Sequence, residues 1–572
     1  MIGNDTFRGN PVSLDISRSV YHLCPTITGT FKVGELVPFF TDMDVLPGSS
    51  RKVRFRSVIR GSTPIAVPMD NLYLDTFYFF VPNKMILSRQ SMSPSVNDSN
   101  HSWEAIVGAQ DSLLNMPLPS GDASVPLMQV ADDTGVAVGG YWDWTGNWMP
   151  SSDTSSIRTV NVNPLGFLAY SKIWNDYFRD PNGSMNPVTY SVNGGYVLPS
   201  GGPSGFRNPG SPTILSNYNL LPACRFHGYF GSALPWPQRN SVTISIPVGT
   251  SAPIGLNDMG ILPSSSLDAS QTIRDLVVSK MASSQDYVLG STSSSGLSRT
   301  TISNLFADLS QAAGVTVNEF RRLVQEQRWY EALARGGNNT LAELTHSTFS
   351  VTPSDAASNR PELLGSTRKP LNIIQVNNTA GNNKSTETQS SLGSTGSFCL
   401  TSVDEFMFSK SFDTWGVIVG LACVRCDDTF HQGIERQYSR FRRFDYYWPQ
   451  FANLGEQSIL EKELFVSGIE NKDNSTFGFQ EAYAEYRMAQ NHVAGLIRPD
   501  KSLNYWTYTN HFEKAPSLND FLDARGLQKN IDRTLQVESS ASGFQFVGQF
   551  ATEEIVAQPM PTYSIPGLVD HH

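Results

Sequence analysis

Cysteine is scarce and badly placed for bridging: Cys24, Cys224, Cys399, Cys423 and Cys426 are an odd five, scattered through 572 positions. A small secreted fold stapled by disulfides is excluded, and the pattern suits a reducing compartment. Charge is sparse as well, at 16% of residues, with a formal balance of −10. A surface of that sign cannot serve as a whole as counter-ion for phosphate, which excludes a histone-like role. Any contact with nucleic acid must be local or shared with a basic companion. Long hydrophobic runs are missing: the richest stretch, NLYLDTFYFFVP (71–82), is far shorter than the roughly 20 apolar residues of a membrane helix. No charged-then-apolar leader opens the sequence, so the expectation is a soluble chain without an export signal.

Catalytic signatures are equally short. There is no Gly-Lys-Ser/Thr phosphate loop, no H-E-x-x-H and no G-x-S-x-G, and GNNKST (381–386) lacks the glycine that should precede its lysine. The pair Cys423-Val-Arg-Cys426 has the spacing of a zinc knuckle or redox motif, but no second pair follows and TWGVIVGLACVRC alternates like a strand. Residues three apart on a strand point to opposite faces, which argues against a shared metal. Asp570, His571 and His572 could form a weak terminal metal clip, although an unconstrained terminal pair is more often solvated. The expectation is a protein that is not an enzyme, with no catalytic residue, cofactor or metal site.

What is abundant is turn chemistry, with 45 Gly and 34 Pro between short apolar runs. GELVPFF (34–40), KVRFRSVIR (52–60) and NLYLDTFYFFVP (71–82) read as successive strands of a mainly β protein, the third apolar on both faces and therefore deep in a sheet. Two helices stand out. In NPLGFLAYSKIWNDYFRDP, Asn163 can cap, Pro164 fits the first helical position, and Tyr170, Ile173, Trp174, Tyr177 and Phe178 share a face. In TVNEFRRLVQEQRWYEALARGG, Thr316 and Glu319 make a capping box and Gly336 a stop. Segments 117–160, 183–220 and 255–300, rich in Ser, Gly, Pro and Asn, read as insertions, and 377–391 as a polar surface loop.

Two stretches are candidates for nucleic-acid or subunit contact. Lys52, Arg54, Arg56 and Arg60 share one strand face while Val53, Phe55 and Ile59 share the other. Such a face is more commonly solvated, or paired with carboxylates of a neighbour, than bound to phosphate. In FRRFDYYWPQF (441–451), read as a strand with the residue before it, Arg440, Arg442, Phe444, Tyr446 and Trp448 form one stripe. Exposed rings can stack on bases, but aromatic strands are usually buried in a core or interface. Phe444, Tyr446 and Trp448 are therefore read as structural anchors, and Arg440 and Arg442 as candidates for DNA or intersubunit contact. A third cluster, GGYWDWTGNW (139–148), suits carbohydrate stacking or a protein contact.

FRRFDYYWPQFANLGEQSILEKELF resembles the late signature of the major capsid protein of gokushovirus-type microviruses, small single-stranded DNA bacteriophages. ELVPFFTDMDVLPG, MDNLYLDTFYFFVPN, IWNDYFRDPN, LPWPQ, GTSAPI, ARGGNNTLAELTHSTFSV, SDAASNRPELLG, FGFQEAYAEYR, NIDRTLQV and PMPTYSIPGLVDH resemble family segments in the family's order, over nearly the whole chain. The resemblance implies a single viral jelly roll, an eight-stranded antiparallel β-barrel with long loop insertions and a few helices. On that reading residues 1–254 carry the first strands, 255–300 a variable surface insertion protruding at threefold axes, and 301–572 a helix, the remaining strands and a C-terminal arm. It further implies self-assembly into a T=1 icosahedral shell around circular single-stranded DNA. The implied partners are a small basic DNA-packaging protein, a pilot or minor spike protein and a bacterial surface receptor, with assembly in the host cytoplasm. A trimeric attachment spike, or a carbohydrate-binding or glycan-hydrolysing β-sandwich, are the alternatives from other classes.

Overall fold

The computed structural model describes residues 18–86, 128–130, 139–147, 160–180, 182, 185–193, 196–203, 219–238, 254–256, 277–280, 287–293, 296–299, 305–307, 317–336, 341–355, 360–377, 395–536 and 545–563. The chain forms two compact units, residues 1–238 with 333–572, and residues 239–332. Ten strands build the two large sheets of the first: β1 Ser19–Leu23, β2 Thr26–Phe31, β3 Val37–Val45, β4 Ser50–Gly61, β5 Leu72–Pro82, β6 Glu362–Pro370, β7 Ile373–Asn377, β8 Thr395–Ser411, β9 Gly416–Cys426 and β10 Phe546–Gln558.

In one sheet β10 lies against β4, with β1 and β2 sharing its other edge, and β8 and β7 continue beyond β4. The other sheet runs β6, β5, β9, β3, and all these pairings are antiparallel. Setting aside the two edge strands β1 and β7, one sheet reads first, eighth, third, sixth in chain order and the other second, seventh, fourth, fifth. That interleaving is the jelly-roll order, which the sequence resemblance implied and which periodicity alone could not supply.

The sequence reasons are local. β4 alternates buried and exposed residues along its length because only one face meets the core, whereas all eleven residues of β9 are buried. Between the sheets Phe39, Phe55, Tyr78 and Phe550 pack with ring centroids 5.2–6.5 Å apart. Helix α1 (Leu165–Ile173) closes one side, its Leu165 N–H donating to Asn163 Oδ1 at 3.0 Å as the capping asparagine predicts. Pro164 is the cap residue itself, one position earlier than expected. The turn that follows, Trp174–Phe178, widens to a π-helix, and Arg179 N–H reaches back to the Trp174 carbonyl at 2.8 Å. Tyr170 and Trp174 are wholly buried and tie the helix to loops: Tyr170 Oη donates to the Leu36 carbonyl at 2.8 Å, and Trp174 Nε1 to that of Pro222 at 2.8 Å.

The aromatic loop corrects a sequence expectation. Tyr141–Trp144 forms one helical turn with Tyr141, Trp142 and Trp144 all buried. Trp142 stacks on Phe167 (6.0 Å, 14°) and Trp144 meets Phe31 and Phe550 edge-on. These rings plug the jelly-roll core and are available to neither sugar nor partner; Trp148 lies outside the described residues. Trp144 also explains Gly29, where a Cβ would come within 2.6 Å of the indole.

A second apolar cluster in the same unit centres on Phe230, Phe430, Phe477 and Phe521, with centroids 5.0–6.2 Å apart. In the other unit, Val277–Lys280, Tyr287–Ser293 and Gly296–Arg299 make an antiparallel ladder, and Ile254–Leu256 pairs with Leu305–Ala307. The expected 255–300 insertion falls within this unit, though only these strands of it are described; the rest of it, much of 117–160 and 183–220, residues 378–391 and Thr316 lie outside the described residues. Helix α2 (Val317–Gly336) ends at the expected glycine.

Candidate assembly and nucleic-acid surfaces

Strand β4 places Lys52, Arg54, Arg56 and Arg60 on the solvent face of its sheet, as its alternation predicts. Register brings Asp404 of β8 opposite Arg56, and Glu553 of β10 opposite Arg54. Arg54 binds Asp404 with two hydrogen bonds, at 2.5 and 3.0 Å, and holds that carboxyl below its ordinary range. Arg56 pairs with Glu553 at 2.9 Å and stands 3.5 Å from Asp404. These two arginines therefore have partners within their own sheet. Lys52 lies over the exposed Phe406 ring at 5.9 Å, and Arg60 faces Leu400 and Val547 with no ion-pair partner among the described residues. On β4 and its two neighbours, four cations thus face two carboxylates, a local positive surplus on an acidic chain.

The segment 441–451 is not a strand. It turns through the 3-10 pieces Arg443–Asp445 and Pro449–Phe451. The cause is local: the Asp445 carboxylate accepts the N–H groups of Phe441 at 2.9 Å and Arg442 at 2.8 Å, and Pro449 cannot donate to a ladder. The even-position stripe does not form and its rings are outside the core: Phe441 is 86% exposed, Phe444 67% and Tyr446 50%. Of the two roles open to a ring-rich strand, core is excluded within this chain. Arg440 turns inward to Glu485 at 2.6 Å and stacks on Tyr486 at 4.3 Å, while Arg442 has no ion pair among the described residues. Trp448 donates through Nε1 to the Arg443 carbonyl at 3.0 Å, with the Arg443 guanidinium 5.5 Å from its ring.

The base beneath this segment is polar and buried, a feature that sequence reading missed. Glu463 accepts from Tyr229 Oη at 2.7 Å, from Leu460 N–H at 3.0 Å and from Arg436 at 3.3 Å. Burial raises its pKa, and Arg436 opposes the rise. The jelly roll has similar clamps. Asp75 of β5 binds Arg368 of β6 at 2.6 Å and Arg425 of β9, and both guanidinia stack on Phe226 at 4.3 and 4.5 Å. Arg51 of β4 holds Asp42 of β3 and, at 3.0 Å, Glu554 of β10, tying the two sheets together. Spacing along the chain gives no hint of partners hundreds of residues apart.

Cys423 and Cys426 lie in β9 as expected, both buried with free thiols, and burial pushes Cys423 up to about 12. Asp570, His571 and His572 lie outside the described residues. A cavity of about 160 Å³ is lined by Phe226, Tyr229, Phe230, Phe430, Phe521, Asp427 and Asp428, among others. Its carboxylate Asp428 is already held by Arg225 at 2.5 Å.

A jelly roll whose sheet face carries a patterned ion-pair network, and whose loops display aromatic rings on a rigid polar base, belongs to the class of structural β-scaffolds that work through faces. Comparison with known proteins gives the class its family. The family described as "Capsid protein (F protein)" matches residues 11–568. The "Capsid protein VP1" of Spiroplasma virus 4 is 31% identical over 576 residues, covering 98% of this chain and 96% of that protein. The proteins of the same description from Bdellovibrio phage phiMH2K and Chlamydia phage 1 are each 30% identical, covering 97% of this chain and 96% of theirs. The chain belongs to this phage capsid-protein family: it is a structural major capsid protein of the gokushovirus-type microviruses, a component of the virion whose copies assemble into a capsid.

Proposed function

We propose that copies of this subunit close a T=1 icosahedral shell around a circular single-stranded DNA genome, and that they do so in the bacterial cytoplasm. The observation that carries this reading is capsid-family similarity from residue 11 to residue 568 on a chain folded in jelly-roll order. No turnover enters the mechanism: a closed shell needs only faces that match under symmetry, and long loops add area that a bare barrel lacks. The positive surplus on the β4 face supports a genome-facing role for it, with Lys52 and Arg60 as the cations left for phosphate. A chain of formal charge −10 leaves most neutralisation to a small basic packaging protein. A pilot or minor spike protein completes the particle, and the 255–300 segment protrudes at threefold axes to contact a bacterial surface receptor.

Sizing and electron microscopy of the purified protein test the shell. Closed particles are expected, whereas trimers alone would favour an attachment spike and monomers a glycan-binding β-sandwich. A reconstruction with residues 255–300 on the inner wall would overturn the protrusion. For the genome face, the isolated subunit is expected to bind single-stranded DNA weakly and in a salt-sensitive way. Replacing Lys52 and Arg60 by Ala should flatten the slope of log affinity against log salt by about 0.7 per lost contact. A slope equal to wild type would remove both residues from the DNA contact.

A further inference from the structure

We propose that the ring cluster around Phe441 and Phe444 is a heterologous docking knob, received by a different surface of a second copy of this chain. The inference rests on the shell reading above and says where one of its contacts lies. Tyr438, Phe441 and Phe444 are 71%, 86% and 67% exposed, adjoining the half-exposed Tyr446 and Tyr447. So many large rings in one short segment exceed the scattered apolar exposure of a monomer surface, and Tyr, Phe, Trp and Arg are the residues enriched at interface centres.

The cluster is also held ready. Asp445 caps the Phe441 and Arg442 N–H groups, Trp448 is bonded to the Arg443 carbonyl, and Arg440 is fixed between Glu485 and the Tyr486 ring. The backbone that carries Phe441 and Phe444 is thus already set, and docking has mainly the two rings themselves to order.

Two features choose the occupant. Nucleic acid would need open cations beside open ring faces. Here Arg440, Arg442 and Arg443 share their segment with the carboxylates of Glu485 and Asp445, a smaller positive surplus than four cations against two carboxylates on the β4 face. Another copy of an acidic chain, by contrast, presents carboxylates to Arg442, which has no ion pair among the described residues, and apolar surface to the rings. A symmetric contact would set Arg442 and Arg443 against their own images. Like-charge repulsion therefore selects a head-to-tail contact, the kind that generates closed rings around a symmetry axis.

The test uses the full-length chain. Phe441→Ser with Phe444→Ser should melt within a degree or two of wild type, because neither ring is in the core. Its threshold concentration for particle formation, read by sedimentation and electron microscopy, should rise at least tenfold, with affinity for single-stranded DNA unchanged. Hydroxyl-radical footprinting of the wild-type chain gives a reading independent of any variant: Phe441 and Phe444 should be oxidised in free subunits and at least tenfold protected in particles. Equal oxidation in both states, or particles at the wild-type threshold, would overturn the proposal. Loss of DNA affinity with unchanged assembly would instead make the cluster a base-stacking platform. If the wild-type chain yields no particles at all, the shell reading falls and this contact with it.

Discussion

Glu554 is the residue whose chemistry most clearly answers to pH. It is buried on β10 against Arg51, with Asp42 bound to the same guanidinium. Burial raises its pKa from 4.5 to about 7, Arg51 pulls it down and Asp42 pushes it up. Between those values the folded chain holds a proton that the unfolded chain has lost. The contribution is fully present below pH about 4.5 and is lost as pH rises through about 7. Glu554→Gln carries a permanently neutral group, so it should gain on wild type by up to about 3 kcal/mol between pH 4.5 and pH 8. Urea unfolding midpoints of both chains at the two pH values measure this. A constant difference would mean that Glu554 is ionised throughout.

At the scale of elements, three segments are laced around the second apolar cluster, and a histidine pair lies at their crossing. Thr429–Phe430 pairs in parallel with Asn491–His492, and Asn510 N–H donates to the Thr429 carbonyl at 2.9 Å. His431 then stacks on His511 at 5.5 Å and 11°, with Nε2 and Nδ1 3.3 Å apart. Burial, followed by His511, lowers the His431 pKa to about 4; Asp500 opposes, while Arg498 and Arg533 reinforce. A depressed imidazole is charged more readily in the unfolded chain, so this lacing loses stability as pH falls from about 6.5 toward 4. His431→Gln should lose less on acidification, read as the shift in melting temperature between pH 7 and pH 5. A wild-type shift no larger than the variant's would contradict the assignment.

The same scale explains what could be read in advance. β4 was legible because one face is buried and the other wet, so burial itself writes a period of two. Segment 441–451 shows the same period without forming a strand, because the Asp445 cap and Pro449 decide the backbone. The rings at 141–144 follow no period at all, since a single turn plugging a core needs volume and no repeat. The strand expected at 441–451 and the exposure expected at 141–144 both fail because propensity records what a residue is, while backbone path and burial depend on caps and on what arrives from elsewhere in the chain.

For the molecule as a whole, the −10 charge sets assembly and genome binding against each other. Copies of an acidic subunit repel as they converge, so each apolar contact must overcome a long-range Coulomb cost that added salt screens, with a Debye length of about 10 Å at 0.1 M falling to about 3 Å at 1 M. Burial of rings such as Phe441 depends little on salt. Contact between phosphate and Lys52 or Arg60 weakens with salt, because bound counter-ions are no longer released into a dilute solution. Raising salt from about 0.05 M to 0.5 M should therefore lower the concentration at which DNA-free subunits form particles while weakening single-stranded DNA binding. Light scattering and fluorescence anisotropy on the same preparation measure the two trends. If both weakened together, ion pairs across the subunit contacts would have to dominate over apolar burial such as that of the ring cluster.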